Sequence, residues 1–197
     1  FINNEWEIKC QNCGKFCLPI PTNESKPPSP QSNYAVSKKQ QEELCMLIGK
    51  SYGLPTVALR YFNTFGPRQS LSNPYSGVCA IFSSQLLNRK SPIVFEDGKQ
   101  TRDFISVHDI VRANCLVMRN SNANYQIYNV GSGRSFRILD VVHYLAKISN
   151  TNISPLITYS YRLGDIRHCY ADISKIKELG FEPLISLNSG LIEFADW

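Results

Sequence analysis

A predicted helix followed at once by a strand that is apolar on both faces defines the kind of fold this chain can adopt. Residues 34–52 carry apolar side chains at helical spacing and end before Gly53, a residue typical of helix C-caps. Residues 54–61 then form a run too apolar for a solvent-facing sheet edge, which predicts a central, parallel strand. A helix that leads into a parallel strand is the repeating unit of α/β proteins.

The same alternation continues to the end of the chain, so the predicted fold class is α/β. Asp109 is expected to open one of the later helices as its N-cap. The periodicity predicts helices over 78–87, 109–118, 138–148 and 173–179, and strands over 92–95, 102–107, 125–130 and 156–161.

Composition and charge exclude several classes of protein. The net charge of +5 comes from 21 basic and 16 acidic residues without a run of like charge, which disfavours nucleic-acid binding and favours an anionic small molecule. No apolar run approaches the roughly 18 residues of a membrane helix, and no signal segment is visible. Several of the seven cysteines lie in apolar periodic segments, where a small buried thiol is common, which indicates a reducing compartment. We therefore expect a soluble, cytoplasmic protein.

Tyr34 and Lys38 stand four residues apart at the start of the first predicted helix, and positions i and i+4 share one helix face. A free phenol titrates near pH ~10, and a neighbouring ammonium lowers a phenol's pKa because it stabilises the phenolate. Such a pair can move a proton at neutral pH. An isolated Tyr-x-x-x-Lys match is more often a solvated helix face.

Further motifs follow this pair in order. Together they cover roughly residues 20–197 and resemble the NAD-dependent epimerase/dehydratase family of extended short-chain dehydrogenase/reductases, most closely its nucleotide-sugar 4-epimerases. The resemblance implies the C-terminal part of a Rossmann-type doubly wound parallel sheet, interleaved with a smaller α/β substrate-binding domain. The motifs are Tyr34–Lys38, Leu59–Asn63, Phe65–Pro67, Arg102–Asp109, Tyr128–Gly131, Arg162–Asp165 and Tyr170–Asp172.

The resemblance implies an NAD-dependent nucleotide-sugar epimerase similar to UDP-glucose 4-epimerase. Tyr34 would take the proton of a sugar hydroxyl while hydride leaves the same carbon for NAD, and the resulting 4-keto sugar would turn and be reduced on its other face. Lys38 would bind the nicotinamide ribose and hold down the pKa of the tyrosine. Tyr61 and Phe62 would lie beside the nicotinamide, at the carboxyl end of a strand.

The same resemblance implies the substrate contacts. Arg102 and Arg162 match positions that bind the nucleotide diphosphate, because a guanidinium offers paired donors to phosphate oxygens. Taken singly, each arginine would be interpreted as a surface ion-pair partner. Asn63 would contact the diphosphate or the sugar, and Asp165 would orient Arg162 or touch the ligand. Cys169 either lines the sugar pocket or packs as a buried thiol.

Two expected features of the family are missing from the sequence. The glycine-rich dinucleotide fingerprint has no match, since Gly131 to Gly133 comes too late and leads into the wrong element. The catalytic serine or threonine upstream of Tyr34 is also unmatched, because Thr22 is too close. We therefore expect a fragment that is inactive alone. The resemblance implies a homodimer when the protein is complete. A 4,6-dehydratase, a reductase and a non-catalytic sugar-nucleotide-binding module remain alternatives.

Cys10 and Cys13 form a knuckle-like pair with Cys17 close behind. Four ligands are needed for a structural zinc site, so the pair is either half of a zinc ribbon or two reduced cysteines. The predicted domain organisation is a Cys- and Pro-containing loop or insertion over 1–30, part of the NAD-binding domain over 31–66 and 124–150, and the substrate-binding domain over 67–123 and 151–197.

Overall fold

The computed structural model describes residues 6–70, 77–162 and 164–197. Parts of the predicted segments 1–30 and 67–123, and position 163 in the Arg162–Asp165 motif, lie outside the described residues. No helix within the described ranges is long and apolar enough to cross a membrane.

Helices and short strands alternate along the chain, as the periodicity predicts. The helices are α1 (Asn33–Ser51), α2 (Val78–Leu87), α3 (Val107–Met118), α4 (Ile138–Ile148), α5 (Ser174–Lys177) and α6 (Leu187–Asp196), with a 3-10 turn at Ser121–Ala123. The strands are β1 (Ala58–Tyr61), β2 (Asn63–Phe65), β3 (Ile93–Val94), β4 (Thr101–Arg102), β5 (Phe104–Ser106), β6 (Ile127–Val130), β7 (Phe136–Arg137), β8 (Leu156–Ile157) and β9 (His168–Cys169).

The strands pair mostly in parallel, which confirms the α/β fold class. β1 pairs with β6, β2 with β5, and β3 with β8, all in parallel. β4 lies between β9, its parallel neighbour, and β7, which is antiparallel. The chain passes from one pairing to the next at single residues, Phe62 between β1 and β2 and Asp103 between β4 and β5.

The start of α3 differs from the prediction. The N-cap is Ser106, whose Oγ accepts a hydrogen bond from the backbone N–H of His108 at 3.2 Å. The predicted N-cap role of Asp109 is therefore wrong. Asp109 lies inside the helix, fully buried, and its carboxylate accepts hydrogen bonds from the N–H groups of Leu184 and Ile185. This carboxylate joins α3 to the segment before α6.

Two hydrophobic clusters form the interior. In the first, α2, α4 and α6 pack around Phe65 and Phe104, whose ring centroids are 6.5 Å apart in an edge-to-face arrangement. The second joins α3 and α5 to β6 and includes Val130 and Phe181. α4 packs in the first cluster and α3 in the second. The domain boundaries remain a prediction.

Candidate active site

Tyr34 and Lys38 lie on one exposed face at the start of α1. Ser32 caps this helix, because its Oγ accepts a hydrogen bond from the backbone N–H of Ala35 at 3.1 Å. The Tyr34 side chain is 71% exposed, and Lys38 Nζ lies 5.7 Å from the centroid of its ring. Lys38 also donates to Gln41 Oε1 at 3.2 Å. The geometry thus presents a phenol and an ammonium together to solvent.

Arg60 fixes α1 against β1. Its Nε and Nη2 donate to the two carboxylate oxygens of Glu42 at 2.7 and 2.8 Å, and its Nη1 donates to the backbone oxygen of Glu24 at 3.1 Å. Hydrogen bonding to Glu42 raises the pKa of Arg60. This fork sets the position of the helix that carries Tyr34 relative to the strand that carries Tyr61. No role was predicted for Arg60, although an arginine inside an apolar strand is a signal for a partly buried ion pair.

Tyr61, Phe62 and Asn63 lie at the carboxyl end of β1. The Tyr61 hydroxyl donates to Asn114 Oδ1 of α3 at 2.9 Å, and the ring remains half-exposed. Phe62 packs against the second cluster. The backbone N–H of Asn63 donates to the oxygen of Asp103 at 2.9 Å as the chain enters β2. Ligands of open α/β sheets bind at this end of the strands.

Arg102, Asp165 and Cys169 meet on the β4–β9 pair. Arg102 and Cys169 are partners in the strand register, and Arg102 Nη2 is 3.9 Å from Asp165 Oδ1. Arg102 Nη1 donates to the backbone oxygens of Thr101 and Arg167 at 2.9 and 3.2 Å, which holds the guanidinium in place. Burial raises the pKa of the Cys169 thiol, against the opposing effect of the Arg102 charge. The structure therefore puts a neutral thiol beside a fixed cation.

The loop with Arg162 connects this group to α1. The Arg162 guanidinium carbon lies 4.2 Å from the centroid of the Phe95 ring, a cation–π contact. The N–H of Asp165 donates to the Arg162 oxygen at 3.1 Å, which closes a turn. A Cβ built on Gly164 would lie 3.4 Å from that of Gln31, which is three residues before Tyr34. The loop thus packs against the start of α1.

The predicted site residues consequently fall into three groups. The first is Tyr34 with Lys38, the second lies at the end of β1, and the third comprises the β4–β9 pair and its loop. Among the described residues, no hydrogen bond or ion pair joins the side chains of Tyr34 and Lys38 to those of Arg102 or Arg162. The Gly164 loop of the third group packs beside Gln31, just before the helix that carries the first group.

Asp103 is a buried residue whose importance the sequence analysis missed. Its side chain has no exposed surface, and Oδ1 accepts hydrogen bonds from the N–H and Oγ of Ser132 at 2.7 and 2.6 Å. Oδ2 accepts from the N–H groups of Gly133 and Ala171 at 3.0 and 3.1 Å. Burial raises the pKa of this carboxyl, and these donors act in the opposite direction.

The Asp103 hydrogen bonds also explain the turn from Gly131 to Gly133. Its N–H groups already bind a carboxylate of the chain itself, so they do not form a phosphate cradle. A Cβ at Gly131 would lie 2.5 Å from Asp103 Oδ2, which requires glycine there. The interpretation that this turn is not the dinucleotide fingerprint agrees with its geometry.

Cys10 and Cys13 lie in a hairpin on the side of the molecule near β9. Glu7 ties the start of this segment to the strand, since its carboxylate bonds Arg167 Nη2 at 2.6 Å and His168 Nε2 at 2.9 Å. In the part of the chain that the structure describes, no group of three or more His, Cys, Asp or Glu side chains could hold a metal ion.

Comparison with known proteins identifies the family. A dTDP-L-rhamnose 4-epimerase of Burkholderia thailandensis is 33% identical over 86% of this chain and 47% of its own length. A UDP-N-acetyl-alpha-D-glucosaminuronate decarboxylase of Bacillus cytotoxicus is 33% identical over 84% of this chain and 52% of its own length. The chain therefore spans about half the length of the curated relatives it matches.

Solved structures support the same relationship. The structure of a UDP-glucose 4-epimerase from Thermotoga maritima, solved with UDP-glucose, matches with a TM-score of 0.84 at 34% sequence identity. The match covers 91% of this chain and 57% of that one. The family profile described as NAD dependent epimerase/dehydratase matches residues 13–131. The chain belongs to the NAD dependent epimerase/dehydratase family.

Proposed function

We propose that the protein containing this chain is an NAD-dependent nucleotide-sugar 4-epimerase similar to UDP-glucose 4-epimerase. The observation that carries the proposal is the start of α1, where Tyr34 and Lys38 share an exposed face beside the loop with Arg162. The loop with Arg162, a cation suited to phosphate, passes beside Gln31, three residues before the proton-transfer residue Tyr34. The relatives named as 4-epimerases support this class of reaction.

Tyr34 performs the proton transfer in this proposal. As a phenolate it takes the proton of the sugar C4 hydroxyl, and it returns a proton to the oxygen after the 4-keto sugar has turned in the site. The positive charge of Lys38, at 5.7 Å from the ring centroid, stabilises the negative charge on the phenolate. The exposure of Tyr34 gives a sugar access to its hydroxyl.

The residues present fit the cofactor that the family implies. NAD, when bound, accepts a hydride from the sugar carbon and returns it to the opposite face. Lys38 suits a ribose hydroxyl, because an ammonium has three donors and one of them is used by Gln41. Tyr61 and Phe62 lie where parallel strands end, which suits the nicotinamide. We assign the cofactor side of the site to these residues and to Tyr34.

The substrate side is assigned to the two arginines and their neighbours. Arg162 makes no side-chain hydrogen bond to a described residue, so its donors are available to a diphosphate oxygen while Phe95 supports the guanidinium plane. Arg102 supplies the second cation, oriented by its backbone contacts and by Asp165. Cys169, whose small side chain leaves space, lies on the sugar side together with Asn63.

Replacement of Tyr34 by phenylalanine tests the mechanism in the natural protein that carries this sequence. We expect Tyr34→Phe to lower the kcat of nucleotide-sugar epimerisation by about 10²- to 10⁴-fold, because the proton-transfer group is lost. Tyr52→Phe is the matched control, since Tyr52 is 77% exposed at the other end of α1 and should leave kcat unchanged. NMR of the products from UDP- and dTDP-sugars measures the rate and identifies the sugar.

The same assay separates the alternatives. Full activity of Tyr34→Phe would refute the assigned mechanism. A 4-keto-6-deoxy product in place of a C4 epimer would replace the epimerase with a 4,6-dehydratase. Substrate binding without turnover by the parent protein would favour a non-catalytic sugar-nucleotide-binding module.

A further inference from the structure

Thr101, His168 and Glu7 form a chain of hydrogen bonds that the proposed epimerase mechanism does not use. The Thr101 Oγ1 atom is 2.9 Å from His168 Nδ1, and His168 Nε2 is 2.9 Å from a carboxylate oxygen of Glu7. A carboxylate can only accept, so Nε2 of the neutral imidazole carries its proton and Nδ1 accepts from the Thr101 hydroxyl. A hydroxyl, an imidazole and a carboxylate in this order are the nucleophile, base and orienting group of acyl transfer.

The small sheet extends this chain into a row of side chains. Thr101 of β4 is the register partner of His168 in β9 and of Arg137 in β7. Residues directly opposite each other on neighbouring strands point to the same face of a sheet. Thr101 therefore has an imidazole on one side and a guanidinium on the other. No described residue pairs with Arg137, so its donors are available to an oxyanion formed beside Thr101.

A cavity of about 550 Å³ adjoins this row. Thr101, His168 and Arg137 line it, and Phe16 and Leu18 contribute apolar surface. Small-molecule sites commonly combine apolar walls with a few convergent polar groups. The cavity therefore gives a small substrate access to the hydroxyl, and its apolar part suits a short acyl chain.

The row is separate from the residues assigned to the nucleotide sugar. Successive side chains of a strand point to opposite faces, so Arg102 and Cys169 lie on the face opposite Thr101 and His168. The two short strands β4 and β9 thus carry the proposed substrate contacts on one face and the hydrogen-bonded row on the other.

Acidic side chains keep the Glu7 end of the chain negative. Arg167 pairs at 2.6 Å with each of three carboxylates, those of Glu7, Glu96 and Asp97. One guanidinium cannot neutralise three carboxylates, so an excess of negative charge remains beside His168. This charge stabilises the imidazolium that forms when His168 takes a proton from a hydroxyl.

We propose that the row is a second catalytic site, at which Thr101 is acylated by small carboxylic esters and the acyl group is then hydrolysed. The Thr101 oxygen attacks the ester carbonyl carbon while its proton passes to His168 Nδ1, and Arg137 stabilises the tetrahedral oxyanion. The bond to the alcohol then breaks, and the alcohol leaves with the proton from His168. Water loses a proton to the same imidazole, attacks the acyl-threonine and releases the carboxylic acid. One ester and one water are consumed, so no redox partner is needed.

Hydrolysis of p-nitrophenyl acetate by the purified chain tests the proposal. We expect p-nitrophenol to appear faster than with an equal concentration of free imidazole, and acid-quenched protein to carry an acetyl group on Thr101 by mass spectrometry. Thr101→Val and His168→Gln should each lower the rate by about 10²-fold, because the nucleophile or the base is lost. His108→Gln is the matched control and should keep the parent rate, since His108 is an imidazole that pairs with Glu193 at 2.8 Å outside the row.

Thr101→Ser keeps a hydroxyl at the same position, so it should retain the hydrolysis and carry the acetyl group at position 101. Circular dichroism checks that each variant is folded, and if Thr101→Val is unfolded, the rate of Thr101→Ser and the acetylated position in the parent decide. An unchanged rate in folded Thr101→Val, acetylation confined to other residues, or a parent rate no higher than that of free imidazole would overturn the proposal. The assay contains neither NAD nor a nucleotide sugar, so its outcome does not bear on the Tyr34 mechanism.

Discussion

Replacing Asp103 by asparagine removes a charge from a buried carboxylate that accepts four hydrogen bonds. In the parent, Oδ1 accepts two hydrogen bonds from Ser132, and Oδ2 accepts from the N–H groups of Gly133 and Ala171. An asparagine has one oxygen, so its amide nitrogen must face donors on one side. The substitution therefore leaves buried N–H groups without an acceptor.

The two possible orientations of the amide bound the cost. With the amide nitrogen on the Oδ2 side, the N–H groups of Gly133 and Ala171 both lose their acceptor. With the amide flipped, the N–H of Ser132 loses its acceptor, while the Ser132 hydroxyl can rotate and accept. A buried donor without a partner costs about 1–3 kcal/mol, so we expect Asp103→Asn to lower the free energy of unfolding by about 2–4 kcal/mol.

Urea denaturation of the chain, followed by circular dichroism, measures this loss. With an m-value of about 2 kcal/mol/M, the midpoint should fall by roughly 1–2 M. Asp165→Asn is the control, because Asp165 is half-exposed and its 3.9 Å ion pair with Arg102 is worth less than about 1 kcal/mol. If Asp103→Asn unfolded within about 0.5 kcal/mol of the parent, the reasoning that a buried carboxylate organises this turn would be refuted.

Two further predictions concern the glycine at position 131 and the ion pairs of Arg167. Gly131→Ala should lower the free energy of unfolding by about 3 kcal/mol, because its Cβ would lie 2.5 Å from a carboxylate oxygen. Gly53 has a φ of 65° and no heavy atom within 4 Å of a built Cβ, so Gly53→Ala should lower the same free energy by about 1 kcal/mol. Burial by itself raises the pKa values of Glu7 and Asp97. Glu7 is hydrogen-bonded to His168 and Arg167, and Asp97 to Arg167. These hydrogen bonds outweigh burial, so both pKa values are lowered. The two carboxylates therefore stabilise the fold above their unfolded pKa values of about 4, and this stabilisation is lost as pH falls. The difference in Tm between the parent and Arg167→Met should consequently become smaller from roughly pH 6 to pH 3. Equal costs for the two glycine variants, or a Tm difference independent of pH, would contradict these predictions.

Helices with apolar residues at helical spacing were predictable from the sequence. The predicted bounds of α2 and α4 agree with the structure at both ends, and α1 agrees within one residue. α6 was not predicted, since Ser189 and Gly190 disfavour a helix locally. Burial of Leu191 and Phe194 in the first cluster stabilises it, and such packing is invisible to a local pattern. The predicted strand over 102–107 is interrupted at Asp103, where the chain passes from the pairing of β4 with β9 to that of β5 with β2.

The candidate site residues lie in motifs that resemble those of the family, but the motifs do not distinguish structural from reactive members. An aspartate is seldom fully buried, so the sequence around Asp103 does not indicate that its carboxylate lies in the interior. Its partners lie 29 and 68 residues further along the chain, so no local spacing reveals them. The pairing of Asp165 with Arg102 instead of Arg162 likewise depends on how the loop folds back over β4.

Hydrogen-bond saturation separates the roles of the arginines within these motifs. The guanidinium of Arg60 donates hydrogen bonds to Glu42 and to a backbone oxygen, so it has no free edge for a phosphate. Arg60 therefore acts by positioning α1. Arg102 uses Nη1 on backbone oxygens and keeps Nη2 directed toward Asp165. Arg162 makes no side-chain hydrogen bond to a described residue and rests on Phe95. A bidentate phosphate contact requires two unoccupied donors on one edge. In the proposed function, Arg162 is therefore better prepared than Arg102 to bind a diphosphate, because Arg102 must first release Asp165.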